Sequence, residues 1–264
     1  MSVFHRAIRT VGTVALAAAP LALPVATPAI AAAPLLHAPV QHVGAVPFFV
    51  SHGFTSHGRN ATTTSGNWGG YAAHGSTYTS VSASWVQTAV NCSKGSGYSS
   101  FWVGLDGYDS NSVEQTGTEA DCSGGRAVYS SWYEMYPAYP VNYGNAVRPG
   151  DHFTATVTYQ GSNRYRLVLT DSTAGWTRTT SKTQSGLSRA SAEVIAEAPS
   201  SNSGVLPLSD FGTVNFTGST VNGASLGSTA WDSIDIVDSR GTTEATTSSL
   251  SGGTSFSVTW KART

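Results

Sequence analysis

Residues 152 to 170 read HFTATVTYQGSNRYRLVLT, and this stretch decides the fold class. Threonines alternate with apolar residues from 152 to 159, a Gly-Ser-Asn turn follows at 161 to 163, and a second short run continues from 165 to 170. Two such runs around a glycine-containing turn are typical of a β-hairpin. Phe153, Ala155 and Val157 are predicted to pack inward, while the intervening threonines face water.

Short runs of the same kind recur along the chain after residue 67, and none of the sequence there keeps helical periodicity for three turns. Further strands are predicted at residues 80–87, 101–105, 127–133, 176–182, 192–197, 234–237 and 256–260. Many short antiparallel strands predict an all-β sandwich of two packed sheets, of the concanavalin-like or jelly-roll type.

Composition agrees with a β-rich domain, because the 264 residues include 28 glycines and only 11% charged residues. The first 33 residues combine early basic residues, an apolar stretch and small residues, as export signals do. The His-rich residues 34–64 are interpreted as a pro-segment or a linker. Residues 65–264 are then one catalytic domain, and the product is expected to be secreted.

The charge balance bears on partners. Three of the 14 basic residues precede residue 62, which leaves 11 basic residues against all 15 acidic ones. Clustered basic residues among aromatics are absent, so a nucleic-acid partner is not expected. A second apolar run long enough to span a bilayer is also absent, so no membrane association is expected. We expect a monomer.

Two cysteines, Cys92 and Cys122, lie in the exported region. In an oxidising compartment the simplest pairing is one disulfide that closes a loop of about 30 residues. Two free thiols are the alternative.

Common hydrolase arrangements find little support in the sequence. After residue 61 the only histidines are His74 and His152, and no His-Glu-x-x-His pattern occurs, so we expect no metal and no cofactor. Residues 223–227 match the nucleophile-elbow string around Ser225. That motif needs a strand-to-helix turn of an α/β fold, which this sequence does not offer.

Aromatic and acidic residues occur together in four segments, 101–107, 113–117, 131–137 and 192–197. On one sheet they could line a groove with stacking surfaces and acid–base groups. Tryptophan and tyrosine are equally common as core residues, and isolated acids usually lie in water.

These segments resemble the glutamic peptidases, also called eqolisins or peptidase family G1, and the match suggests a bacterial-type secreted member. The resemblance begins at Asn67-Trp68-Gly69-Gly70, continues through 102–107, 115–117 and 132–134, and ends at 192–197, in the family's order. It implies a secreted acid endopeptidase that acts on proteins or peptides. The catalytic glutamine of the family precedes Thr-Gly, which is Gln115 here, and the catalytic glutamate is the second acid of the last motif, Glu197.

The resemblance further implies a substrate cleft lined by Trp102, Asp106, Trp132 and Glu134. The chain departs from the fungal pattern in two places, which leaves the subsite preference open. Ser130 replaces an acid, and Ala198-Pro199 replaces acidic and aromatic residues.

Strand geometry supports the choice of a single glutamate. Glu193 and Glu197 share a face but stand about 13 Å apart at about 3.3 Å per residue, so both cannot touch Gln115. Glu114 and Gln115 point to opposite faces by the same rule.

Two other functions remain open at this point. A glycoside hydrolase on a similar sandwich would use two carboxylates, such as Glu134 and Glu197, about 5 to 5.5 Å apart. A carbohydrate-binding module without catalysis is the other. Gln115 distinguishes the peptidase from these two alternatives, because only the peptidase requires an amide at that position.

Overall fold

The computed structural model describes residues 60–108, 110–201 and 204–263, and within these ranges the chain is built from strands. The strands are β1 Ala61–Ser65, β2 Trp68–His74, β3 Ser80–Val86, β4 Ser100–Leu105, β5 Val113–Ser123, β6 Arg126–Tyr136, β7 Val141–Asn142, β8 His152–Tyr159, β9 Arg164–Asp171, β10 Trp176–Thr183, β11 Ser191–Glu197, β12 Ser200–Ser201, β13 Gly204–Val205, β14 Thr213–Val221, β15 Ala224–Ser225, β16 Trp231–Val237, β17 Thr243–Thr247 and β18 Phe256–Trp260. Two short 3₁₀ helices span Cys92–Lys94 and Leu226–Ser228. The described ranges contain no helix that is long and apolar enough to span a membrane.

The strands form one long hydrogen-bonded path in the order β10-β9-β8-β3-β14-β18-β17-β16-β2-β11-β4-β5-β6-β7. This path folds back on itself, so that β3, β8 and β9 pack against β4, β5 and β11 without pairing with them. Neighbours along the path are antiparallel. The predicted all-β sandwich of antiparallel layers is confirmed.

The predicted hairpin is formed by β8 and β9, which pair from Phe153 with Asp171 to Tyr159 with Tyr165. Phe153, Ala155 and Val157 are buried, as the alternation predicts. Gly161 has a φ of 82° in the connecting turn, a value that favours glycine because a side chain there is strained.

Several strands were not predicted, among them the nine-residue β14 and the strand β17, and two of them, β2 and β5, border the candidate site. Every residue of β2 is buried, so its sequence WGGYAAH lacks the polar-apolar alternation that marks a half-exposed strand. In β5 the sequence VEQTGTEADCS looks like a polar loop, yet all but its last residue are buried.

Of the two predicted N-terminal segments, the structure describes only the end of the second one, which contains β1. Ala61–Ser65, the end of the predicted 34–64 segment plus one residue, pairs in parallel with β16. The 1–33 signal and residues 34–59 lie outside the described residues, and their roles stay predictions. Cys92 and Cys122 form the predicted disulfide.

Aromatic and aliphatic side chains form two separate cores. The larger core fills the space between the layers and includes Phe101, Val103 and Leu105 of β4. The smaller core lies on the other face of the same strands and includes Trp68, Trp102, Trp132 and Ile195. Side chains of successive strand residues point to opposite faces of the sheet. Polar residues two positions from a residue of the smaller core therefore lie on the same face as that core.

Candidate active site

Gln115 lies on the smaller-core face of β5. It is opposite Gly104 of β4 and Glu134 of β6, and directly opposed residues of paired strands point to the same side. Glu114 is opposite Leu105 and Met135, which belong to the larger core. The prediction that Glu114 and Gln115 point to opposite faces is confirmed.

Two glycines shape the surface around Gln115. A side chain at Gly117 would place its Cβ 2.1 Å from the carbonyl oxygen of Phe101, so no larger residue fits there. At Gly104 a Cβ would lie 3.0 Å from the Trp102 ring, which therefore lies over this glycine. The Trp102 ring extends across β4 in the space that these glycines leave.

The amide of Gln115 is held by Glu134. Its Nε2 donates to Glu134 Oε2 at 2.6 Å, and both side chains are buried. Within the described ranges, Oε1 of Gln115 makes no hydrogen bond. The amide thus keeps one N–H and its oxygen for a ligand after its contact with Glu134.

Glu197, at the end of β11, accepts hydrogen bonds from a residue of β4 and from the residue before β2. Trp102 Nε1 donates to its Oε2 at 2.7 Å, and Asn67 Nδ2 donates to its Oε1 at 3.2 Å. Each carboxylate oxygen therefore has a fixed donor, which stabilises the ionised form and sets the orientation of the group.

The two carboxyl groups of this surface interact. Burial raises the pKa of Glu197 to about 7, against the opposing effect of hydrogen bonds from Trp102, Trp68 and Asn67. Burial also raises the pKa of Glu134 to about 8, with the negative charge of Glu197 as the second cause and the hydrogen bond from Gln115 opposing both. Glu134 therefore interacts with both residues. It accepts a hydrogen bond from Gln115, and the negative charge of Glu197 raises its pKa.

Neither glutamate of β11 hydrogen-bonds directly to Gln115. By register, Glu193 and Gln115 are both opposite Gly104, whereas Glu197 is opposite Ser100. The pKa of Glu193 is raised by burial and by Asp106, and neither Gln115 nor Glu134 is among its causes. The spacing along the strand allowed only one of the two glutamates to act with Gln115, and the family resemblance selected Glu197. In the structure the two differ in their partners.

The remaining predicted residues fall into two groups. Trp102 and Trp132 belong to the smaller core beside Gln115. Asp106 is fully buried, and its carboxylate accepts the backbone N–H groups of Arg189 and Ala190 at 2.7 and 2.8 Å. Asp106 therefore has a structural task just before β11, and its contact with substrate stays a prediction.

Asn67 was not singled out as a site residue from the sequence. The available signal was the Asn-Trp-Gly-Gly motif that opens the matching region, since Asn67 contacts Glu197 from the residue before β2. Ser130, which replaces an acid of the fungal pattern, donates to Glu119 on the neighbouring strand.

The serine alternative finds no support at Ser225. This residue ends the two-residue strand β15 and is followed by the short 3₁₀ helix Leu226–Ser228. The strand-to-α-helix turn that a nucleophile elbow needs does not occur there.

Comparison with known proteins decides the family. The model of the Peptidase A4 family matches residues 66–260, which include the whole surface described above. The chain belongs to the Peptidase A4 family. It is a glutamic endopeptidase of family G1, and the resemblance drawn from the sequence motifs is confirmed. No curated protein matches the chain.

Solved structures of Peptidase A4 relatives agree with this membership. Scytalido-glutamic peptidase with a transition state analog inhibitor is 28% identical with a TM-score of 0.63, over 74% of this chain and 98% of that one. SCP-B, an eqolisin in complex with the tripeptide Ala-Ile-His, is 25% identical with a TM-score of 0.60, over 74% and 98%. Aspergilloglutamic peptidase from Aspergillus niger is 28% identical with a TM-score of 0.57, over 62% and 99%.

Proposed function

We propose that Glu197 and Gln115 are the catalytic pair of this glutamic peptidase. The observation that carries the proposal is the linked arrangement of the three polar groups. Glu134 fixes the amide of Gln115 by a hydrogen bond, and its pKa responds to the charge of Glu197. A base, an amide and a group that orients the amide thus share one buried surface, as general base catalysis with oxyanion stabilisation requires.

The first step is attack by water. Ionised Glu197 takes a proton from the water while the water oxygen bonds to the carbonyl carbon of the scissile peptide. Gln115 Oε1 accepts the second hydrogen of this water and orients it. The free N–H of Gln115 Nε2 donates to the carbonyl oxygen as negative charge develops there.

The second step is cleavage of the C–N bond. Protonated Glu197 gives its proton to the departing nitrogen, and the products are a carboxylic acid and an amine. Because Gln115 cannot ionise, the pair lacks the carboxylate–carboxylate repulsion of two adjacent aspartates. Glu134 avoids the same problem with Glu197 by remaining protonated below about pH 8.

The ligands of the similar solved structures support a peptide substrate. The solved relatives hold a peptide-based transition state analog and a tripeptide, and we assign a protein or peptide substrate to this chain, bound along Trp102 and Trp132. We also propose that the product is secreted, on the strength of the signal-like residues 1–33, and that it works as a monomer. N-terminal sequencing of protein collected from the medium tests export.

The decisive experiment digests a denatured protein with the purified enzyme between pH 3 and 7, with and without pepstatin. Pepstatin-resistant peptide products are expected from wild type. Gln115→Ala should reduce kcat/KM by about 10² to 10³-fold, the usual loss on removing an oxyanion donor. Ser225→Ala should cleave as wild type does. An active Gln115→Ala variant, or an inactive but folded Ser225→Ala variant, contradicts the proposal.

Membership of the Peptidase A4 family leaves the glycoside hydrolase alternative without support.

A further inference from the structure

The strand β1 is attached to the sheet by more than its backbone ladder. Ala61 N–H donates to Asp232 Oδ1 at 3.1 Å, and Ser233 Oγ donates to Thr62 Oγ1 at 3.0 Å. The same Asp232 carboxylate accepts the hydroxyl of Tyr108 at 2.6 Å. The start of β1 is thereby tied to the loop that follows β4.

At the other end of β1, Ser65 organises the turn into β2. Its buried Oγ accepts the backbone N–H groups of Asn67 and Trp68 at 3.3 and 3.1 Å and donates to Asn67 Oδ1 at 3.1 Å. One donor and two acceptor sites are all that a serine hydroxyl offers, and here every one is used.

Asn67 connects Ser65 to Glu197, the proposed base. Its side-chain oxygen is held by Ser65, and its Nδ2 donates to Glu197 Oε1 at 3.2 Å. Its backbone carbonyl also accepts the N–H of Ala198 at 2.8 Å, directly after Glu197. A short path of hydrogen bonds therefore runs from β1 to the carboxylate of Glu197.

We propose that Ser65 is a positioning residue that acts on Glu197 through Asn67, and that β1 stays in the active enzyme. This inference rests on the proposed role of Glu197 as the base. It places the start of the working domain at or before Ala61, ahead of the boundary at residue 65 that the sequence favours. Proteolytic removal of upstream residues then has to end before β1.

The physical effect is on the charge of Glu197. Loss of the Ser65 hydroxyl frees the Asn67 amide to turn away, and the ionised carboxylate then loses one of its donors. The other titratable groups on this face are the acids Glu134 of β6, Glu119 and Asp121 of β5, Glu193 of β11 itself and Asp232 of β16, together with His74 of β2. None of them is among the hydrogen-bond donors that lower the pKa of Glu197, so none replaces the lost donor.

The test measures kcat and KM from pH 3 to 8 for the full chain carrying Ser65→Ala, Asn67→Ala or Thr64→Ala. Thr64 is the matched control, because it is exposed on the same strand and also carries a hydroxyl. Ser65→Ala should lower kcat about threefold to tenfold, the equivalent of one lost hydrogen bond, with little change in KM. The acid limb of its profile should move to higher pH, and Asn67→Ala should move it further in the same direction.

A purely structural serine would lower the melting temperature without moving the acid limb. An unshifted limb in both Ser65→Ala and Asn67→Ala overturns the inference, and Asn67→Ala alone decides if Ser65→Ala does not fold. N-terminal sequencing of active wild-type enzyme gives a second reading: a start at or before Ala61 is expected, and a fully active enzyme that starts at Gly66 or later contradicts it. Failure of wild type to cleave any peptide counts instead against the proposed function.

Discussion

The two glutamates of β11 share a strand, a face and complete burial, yet their surroundings differ. Glu197 lies where donors converge from Trp102 and Asn67, and its charge is felt by Glu134. Glu193 lies toward the start of the strand near Ser191, with the acids Asp106 and Glu114 as neighbours. Burial alone therefore does not distinguish the two glutamates, and the proposed role of Glu197 rests on the partners of its carboxylate.

The pKa values of the two glutamates have different causes. Burial raises both, and hydrogen bonds from Trp102, Trp68 and Asn67 hold the pKa of Glu197 to about 7. Burial raises the pKa of Glu193 well above its ordinary value, against the opposing hydrogen bond from Ser191 and with the charge of Asp106 adding to the rise. Glu197 can thus gain and lose a proton near neutral pH.

The largest expected effect separates these two residues directly. Glu197→Gln should lower kcat/KM on the order of 10³-fold or more, because it removes the proposed base and keeps the shape of the side chain. Glu193→Gln should stay within about threefold of wild type, because neither Gln115 nor Glu134 is among the groups that act on Glu193 and the amide keeps the shape of the side chain. Steady-state kinetics on a peptide substrate, with circular dichroism to verify folding, measures both. The reverse order of effects would transfer the base to Glu193.

A smaller effect concerns the pH dependence of catalysis. If ionised Glu197 is the base, kcat/KM rises with pH toward the pKa near 7, about tenfold per unit well below it. Trp102→Phe removes one donor to the carboxylate, so the acid limb should move upward by about one unit. The pH–rate profiles of wild type and Trp102→Phe test this. Coincident limbs would show that Trp102 does not tune the base.

The smallest effect is on stability rather than rate. Burial, with the nearby charge of Asp106, raises the pKa of Glu114 from 4.5 to about 9. Between these values the unfolded chain ionises this carboxyl while the folded chain keeps it protonated, so stability is highest below pH 4.5 and falls as the pH rises toward 9. Melting temperatures at pH 4.5 and 8 should show this decline, and Glu114→Gln should make it shallower. An unchanged slope in Glu114→Gln would assign the decline to other groups.

The sequence predicted the hairpin β8–β9 and the faces of Glu114 and Gln115, because alternation and strand geometry are local properties. It also placed Gln115, Glu134 and Glu197 in one site, through motifs whose order is specific. The strands β2 and β5 could not be read from alternation. Both carry residues buried on two sides, and β5 brings polar groups to the site.

The side-chain contacts and the shifted pKa values could not be predicted from the sequence. Ser65 reaches Glu197 only through a turn and a cross-strand contact that spans 130 residues of chain between Asn67 and Glu197. The resemblance implied an acid peptidase, and the ordinary pKa of a glutamate lies near 4.3. Burial raises the pKa of Glu197 to about 7, so this carboxyl ionises nearer neutral pH, while the raised pKa of Glu114 makes the fold more stable in acid.

The measurement that addresses the catalytic pair most directly is a double-variant cycle of Gln115→Ala and Glu197→Gln, with kcat/KM determined for wild type, both single variants and the double variant. Residues that act as one unit lose their joint contribution when either is changed. The double variant should therefore be no slower than Glu197→Gln alone, within about threefold. A double variant slower by the product of the two single losses would mean that Gln115 and Glu197 act independently, and would contradict the proposed pair.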